Sequence, residues 1–93
     1  MINNINYNLK YSVECLLGIE RAILSSLITN NNTDEMEVCF KIIEGNDFYY
    51  NQHGVIFNTI IKLYQNDKII NEHTVFLENQ TNINEQYYVD IIA

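Results

Sequence analysis

The chain has 93 residues, five Lys or Arg against twelve Asp or Glu, a formal net charge of −7, three glycines, and neither proline nor tryptophan. That length holds one domain, and 47 % hydrophobic residues place it well above the disordered range. A phosphate backbone is gripped by clustered cations, so no direct DNA binding is expected of a chain this acidic.

The first helical pattern runs from Ser12 to Thr29. Leu17, Leu24 and Ile28 form one stripe, which Leu16, Ile23 and Leu27 widen. Gly18 costs about 1 kcal/mol relative to Ala inside a helix, so either the helix starts later or another backbone approaches there. Asn30-Asn31-Asn32 ends the element with a turn. Asparagine, tied with isoleucine as the commonest residue, supplies the turns that proline does not, because it caps helices and tolerates left-handed backbone.

A second helix opens with Asn32 and Glu35 at capping-box spacing. Met36, Cys39, Phe40 and Ile43 give its apolar face, Asp34, Glu35 and Glu37 sit where the dipole favours acids, and Gly45-Asn46 reads as a C-cap. Asp47-Phe48-Tyr49-Tyr50 is an aromatic connector. The third helix runs from Asn51 to about Gln65. Its stripe is Ile56, Phe57, Ile60, Ile61 and Tyr64, while Asn58, Thr59 and Lys62 face the other way.

Asn66-Asp67-Lys68 makes a polar turn and Ile69-Ile70 a hydrophobic lead-in. Asn71 caps a fourth helix with Val75 and Phe76 inward. From Asn82 to Ala93 the pattern repeats: Asn82 or Asn84 caps, Glu85 follows, and Tyr87, Tyr88, Ile91 and Ile92 are apolar. Period-two alternation is absent. The expected fold is all-α, a compact orthogonal bundle of about five short helices forming one domain over 1–93. The pattern is still apolar at Ala93, so the chain is read as a fragment of a longer protein.

Little of this carries chemistry. No glycine begins a phosphate loop or a dinucleotide turn, so no cofactor-binding residue is assigned. His53 and His73 lack metal-ligand spacing and read as packed or capping residues, and no catalytic or metal residue is assigned either. Carboxylates read as solvated charge. Cys15 and Cys39 read as small buried thiols in a reducing cytoplasm. Met1-Ile2-Asn3-Asn4 opens no secretory signal, and no apolar run is long enough to cross a bilayer. In the pairs Tyr49-Tyr50 and Tyr87-Tyr88 one ring joins the core and its neighbour stays near the surface. Tyr50 and Tyr88 are the candidates for a partner surface.

The order of residues is more telling. Ile19-Glu20-Arg21-Ala22-Ile23-Leu24-Ser25-Ser26-Leu27-Ile28 resembles the first helix of the N-terminal domain of DnaB-type replicative DNA helicases. Asp47-Phe48-Tyr49-Tyr50-Asn51-Gln52-His53, then Ile56-Phe57 and Leu63, is similar to the family's succession into its third helix. Ile70-Asn71-Glu72 with Thr74-Val75 and Leu77 resembles the following segment, and Ile83-Asn84-Glu85 with Tyr87 extends it weakly. Asp47, Phe48, Tyr49, His53 and Phe57 are the signature positions. Asp47 is expected to accept from backbone N–H groups ahead of the third helix, and Phe48 and Phe57 to pack in the core. The chain departs from the family in lacking proline before the first helix and in having Gly54 where a basic residue is common. Asn71 replaces the usual acid.

The resemblance implies a non-catalytic collar that self-associates in a helicase hexamer and docks primase, in some systems also a loader. ATP and Mg are expected only in a separate ATPase domain. A stand-alone or primase-derived adaptor with the same fold is the alternative. A small acid–base enzyme using His53 or His73 is the third reading.

Overall fold

The computed structural model describes residues 5–30 and 33–92, with side chains over 13–29 and 33–92. Five helices follow one another: α1 (Ile5–Asn30), α2 (Thr33–Ile42), α3 (Asn51–Gln65), α4 (Glu72–Glu78) and α5 (Glu85–Ile92), with a 3₁₀ turn, Gly45–Asp47, between α2 and α3. No strand occurs among the described residues. The all-α expectation holds.

The third helix is the centre. Ile56, Phe57 and Ile60 are fully buried and Leu63 nearly so, and α1, the 3₁₀ turn and α4 all pack against this helix. Leu24, Leu27 and Ile28 of α1, Met36 of α2, Val75 of α4, and Tyr88 with Ile91 of α5 join it in the core, with Ile70 and Ile83 from the loops. Phe48 and Phe40 flank it, their rings 5.0 and 5.7 Å from Phe57. Ile61 is only half-buried, so it borders the core instead of entering it.

The first helix is longer than its apolar stripe. It has 26 residues, about 39 Å at the α-helical rise, and underlies the molecule's longest dimension of 48 Å. It passes straight through Gly18, where an added Cβ would meet nothing within 4 Å. Neither a later start nor a close backbone explains that glycine. The proposed cap Asn32 and the turn residue Asn31 lie outside the described residues.

Asparagine does punctuate the rest. The Asn71 side chain accepts from the N–H groups of His73 and Thr74, both at 2.9 Å, while Thr74 Oγ1 accepts from Asn71 N–H. This is a reciprocal cap. Ile70, just before it, is buried and Ile69 is exposed, so one residue of the lead-in staples the helix entry. Asn84, not Asn82, caps α5 by accepting from Tyr87 N–H at 2.9 Å. Asn82 instead donates to the Asn79 side chain.

The α3 exit is a Schellman turn. Lys68 N–H donates to the Leu63 carbonyl and Asp67 N–H to that of Tyr64, with Asp67 at φ 54°. That left-handed position usually belongs to glycine. Gly45 does not play this part for α2. It opens the 3₁₀ turn, and a Cβ on Gly54 would sit 2.5 Å from the Gly45 carbonyl oxygen. Close approach of two chain segments fixes Gly54, and no basic side chain fits there. Thr59 also departs from expectation. It is buried because Asn79 packs over that face and donates to its hydroxyl at 3.3 Å.

Candidate functional site

The entrance to α3 has no cap of its own, since the Tyr50 side chain makes no capping bond. Instead, two backbone N–H groups just ahead of the helix are met from another helix. Glu20 of α1, 4 % exposed, accepts from Tyr49 N–H at 2.6 Å and from Tyr50 N–H at 3.4 Å. Its Oε1 also lies 2.7 Å from Nδ1 of His53, which is fully buried. On the far side of the ring, Nε2 lies 2.7 Å from the Tyr87 hydroxyl of α5. With Nδ1 protonated the imidazole donates to the carboxylate, and its Nε2 meets the phenol oxygen. One chain of polar contacts therefore ties α1, the connector, α3 and α5 together.

Aromatic rings seal this latch. Tyr50 meets His53 and Tyr87 edge-on at 5.2 and 5.0 Å, His53 stacks on Tyr87 at 5.6 Å, and Phe48 closes the inner side at 6.3 Å. Burial pushes the Tyr87 hydroxyl above its ordinary pKa. Both ring nitrogens of His53 are engaged by protein groups and no face of it reaches solvent, so it is a packed residue and meets no solute. His73 is exposed at the start of α4, 3.6 Å from Glu72. Among the described residues no three His, Cys, Asp or Glu side chains converge as metal ligands would.

The other signature residues serve the same junction. Asp47 accepts from Glu44 N–H at 2.8 Å. It closes the 3₁₀ turn behind it, and Glu20 takes the role ahead of α3 expected of Asp47. Tyr49 is 62 % and Tyr50 40 % exposed, so both rings of the first pair reach the surface. Tyr88 is a correction: at 3 % exposure it lies in the core and donates to the Glu72 carbonyl at 2.6 Å. Burial and the Glu72 charge raise its pKa to about 12. Its neighbour Tyr87 is the half-buried one. Cys15 is likewise exposed and Cys39 half-buried. Gln52, given no role of its own by the sequence, donates to the Asn82 carbonyl and accepts from Asn84 N–H, fixing the loop into α5.

Among the apolar grooves on the outside are two of equal volume. One, between α1 and α2, has a volume of about 350 Å³ and is lined by Ile19, Ile23, Leu27, Met36 and Cys39. The other, also about 350 Å³, lies between α4 and α5 over Phe76, Leu77, Tyr88, Val89 and Ile92. No helix among the described residues is long and apolar enough to cross a membrane.

The class of protein is defined first by this architecture, an all-helical domain built on one central helix and held by a buried carboxylate–imidazole–phenol chain. The model of the DnaB-like helicase N-terminal domain family matches residues 12–93, and the chain belongs to that family. The replicative DNA helicase DnaB of Helicobacter pylori (strain ATCC 700392 / 26695) is 33 % identical over 60 residues, 64 % of this chain and 12 % of that protein. The same helicase from strain J99 / ATCC 700824 matches to the same extent. The match thus spans 12 % of each relative's length. No solved structure matches the chain.

Proposed function

We propose that this chain is the N-terminal collar domain of a hexameric replicative DNA helicase, serving ring assembly and the docking of primase in the cytoplasm. The observation that carries the reading is the family match over residues 12–93. The surface is compatible with it. Exposed Ile19, Val38, Ile42, Leu77 and Val89 offer apolar area for protein contacts, and a charge of −7 opposes a phosphate backbone. His53 is committed to the latch, so no chemistry is assigned to this domain; ATP and Mg belong to a separate ATPase domain of the parent.

The test is reconstitution. The parent helicase should sediment as a six-subunit ring that retains primase, and removal of residues 1–93 should release primase and weaken the ring. A parent whose assembly and primase retention are unchanged by that removal refutes the proposal.

A further inference from the structure

We propose that the α4/α5 groove docks a partner protein through an amphipathic helix flanked by lysine or arginine, with apolar anchors between the helices and cations against Glu72 and Glu85. The inference rests on the docking role above only in supposing that a partner exists.

The floor of the groove is anchored to the fold. Tyr88 is held by its bond to the Glu72 carbonyl at 2.6 Å, and its ring lies 5.8 Å from that of Phe76. The walls are open: Leu77 is 65 % and Val89 46 % exposed. These are large aliphatic side chains on short helices whose inner faces already fill the core with Val75 and Ile91. Their outer faces are surplus to folding.

Charge identifies the occupant. Lys68 is the last basic residue, and the stretch 69–93 holds Glu72, Glu78, Glu85 and Asp90 with no Lys or Arg. Glu78 is engaged by Lys62 and Lys68 at 3.2 and 3.6 Å. Glu72 and Glu85 line the groove with His73, which lies 3.6 Å from Glu72. An anionic membrane or a nucleic acid is repelled by this rim. A peptide whose apolar stripe is flanked by cations is steered to it. The described residues offer no strand edge to extend, so an inserted helix with anchors three or four residues apart is the mode that suits a slot between helices. The α1/α2 groove has similar size, but one carboxylate, Glu35, lines it where the α4/α5 groove has two, and Arg21 and Lys41 stand on the same helices. Mixed charge there selects no occupant.

Two synthetic helical peptides with the same Leu/Ile stripe, one flanked by Lys and one by Glu, test this against the ¹⁵N-labelled chain. The Lys peptide should shift amide signals of residues 72–77 and 85–92 saturably, and should weaken several-fold between low and high salt. Leu77→Ala with Val89→Ala should weaken it about tenfold, a loss near 1.4 kcal/mol. Glu72→Gln with Glu85→Gln should remove the salt dependence. Ile42→Ala, on α2, should leave it unchanged. Equal binding of the Glu peptide, shifts confined to the α1/α2 groove, or no saturation by about 1 mM overturns the inference. So do shifts at the groove that grow with protein concentration alone, which would name a second copy as the occupant. Neither ring nor primase enters this experiment, so its failure leaves the assembly reading to its own test.

Discussion

Replacing Glu20 by alanine removes the acceptor that three donors share. Two of the contacts are short, Tyr49 N–H at 2.6 Å and His53 Nδ1 at 2.7 Å, and the third, Tyr50 N–H at 3.4 Å, is weak. Hydrogen bonds to a charged group contribute about 1.5–3 kcal/mol each. Water can reach the two connector amides after truncation, but His53 is fully buried, and its stranded Nδ1–H costs about 1–3 kcal/mol more. Relief of the desolvated carboxylate offsets part of this, leaving a net loss of about 3 kcal/mol, within the range for breaking a buried pair. With a urea slope of about 1.5 kcal/mol/M, the unfolding midpoint followed by circular dichroism at 222 nm should fall by about 2 M. Exposed Glu14 on the same helix is the control, and Glu14→Ala should stay within about 0.5 kcal/mol of the parent. In a double-mutant cycle, Glu20→Ala and His53→Ala should show about 1–2 kcal/mol of coupling. A Glu20→Ala midpoint within about 0.5 M of the parent, or no coupling to His53, refutes the latch.

Phe57→Ala empties the centre of the core, where Phe57 is fully buried, and should cost about 3–5 kcal/mol; a variant as resistant to urea as the parent contradicts its placement. Gly18→Ala should raise stability by up to about 1 kcal/mol, because its Cβ meets open space. Gly54→Ala should lower stability by about 1–3 kcal/mol, because its Cβ would press on the Gly45 carbonyl; thermal melts of the two variants should move in opposite directions. The Tyr88 hydroxyl, raised from 10.0 to about 12 by burial and the Glu72 charge, contributes stability that is full below the unfolded pKa. That contribution is lost as pH rises from 10 towards 12, so Tyr88→Phe should flatten the fall of the urea midpoint over that window.

Elements whose signals are local were legible in the sequence. The α3 stripe repeats over more than two turns, and the helix bounds, Asn51 and Gln65, fall where they were placed. Asn71 and Asn84 reach only two or three residues ahead to make their caps, which is why spacing reveals them. Long-range partners were not legible. Glu20 reads as one more surface acid until residues 29 to 33 positions away fold onto it. Tyr87 and Tyr88 differ by a single step of helix rotation, about 100°, so the buried member of the pair depends on how α5 settles against α4. Gly54 looks like a helix defect until Gly45 arrives beside it. Thr59 looks solvent-facing until the turn after α4 covers it. In each case the missing information is a neighbour, not a propensity.

The Glu20 carboxylate grips the main chain at Tyr49 and Tyr50, not their side chains. Every residue except proline carries the N–H groups it needs, so the connector's conformation is indifferent to what is displayed there. Tyr49, 62 % exposed, can change its side chain while the entry to α3 stays fixed. Tyr50 can follow so long as some ring still covers His53 and Tyr87. The junction thus works as a fixed mount with an exchangeable face, whose displayed side chain can vary without the fold having to be found again.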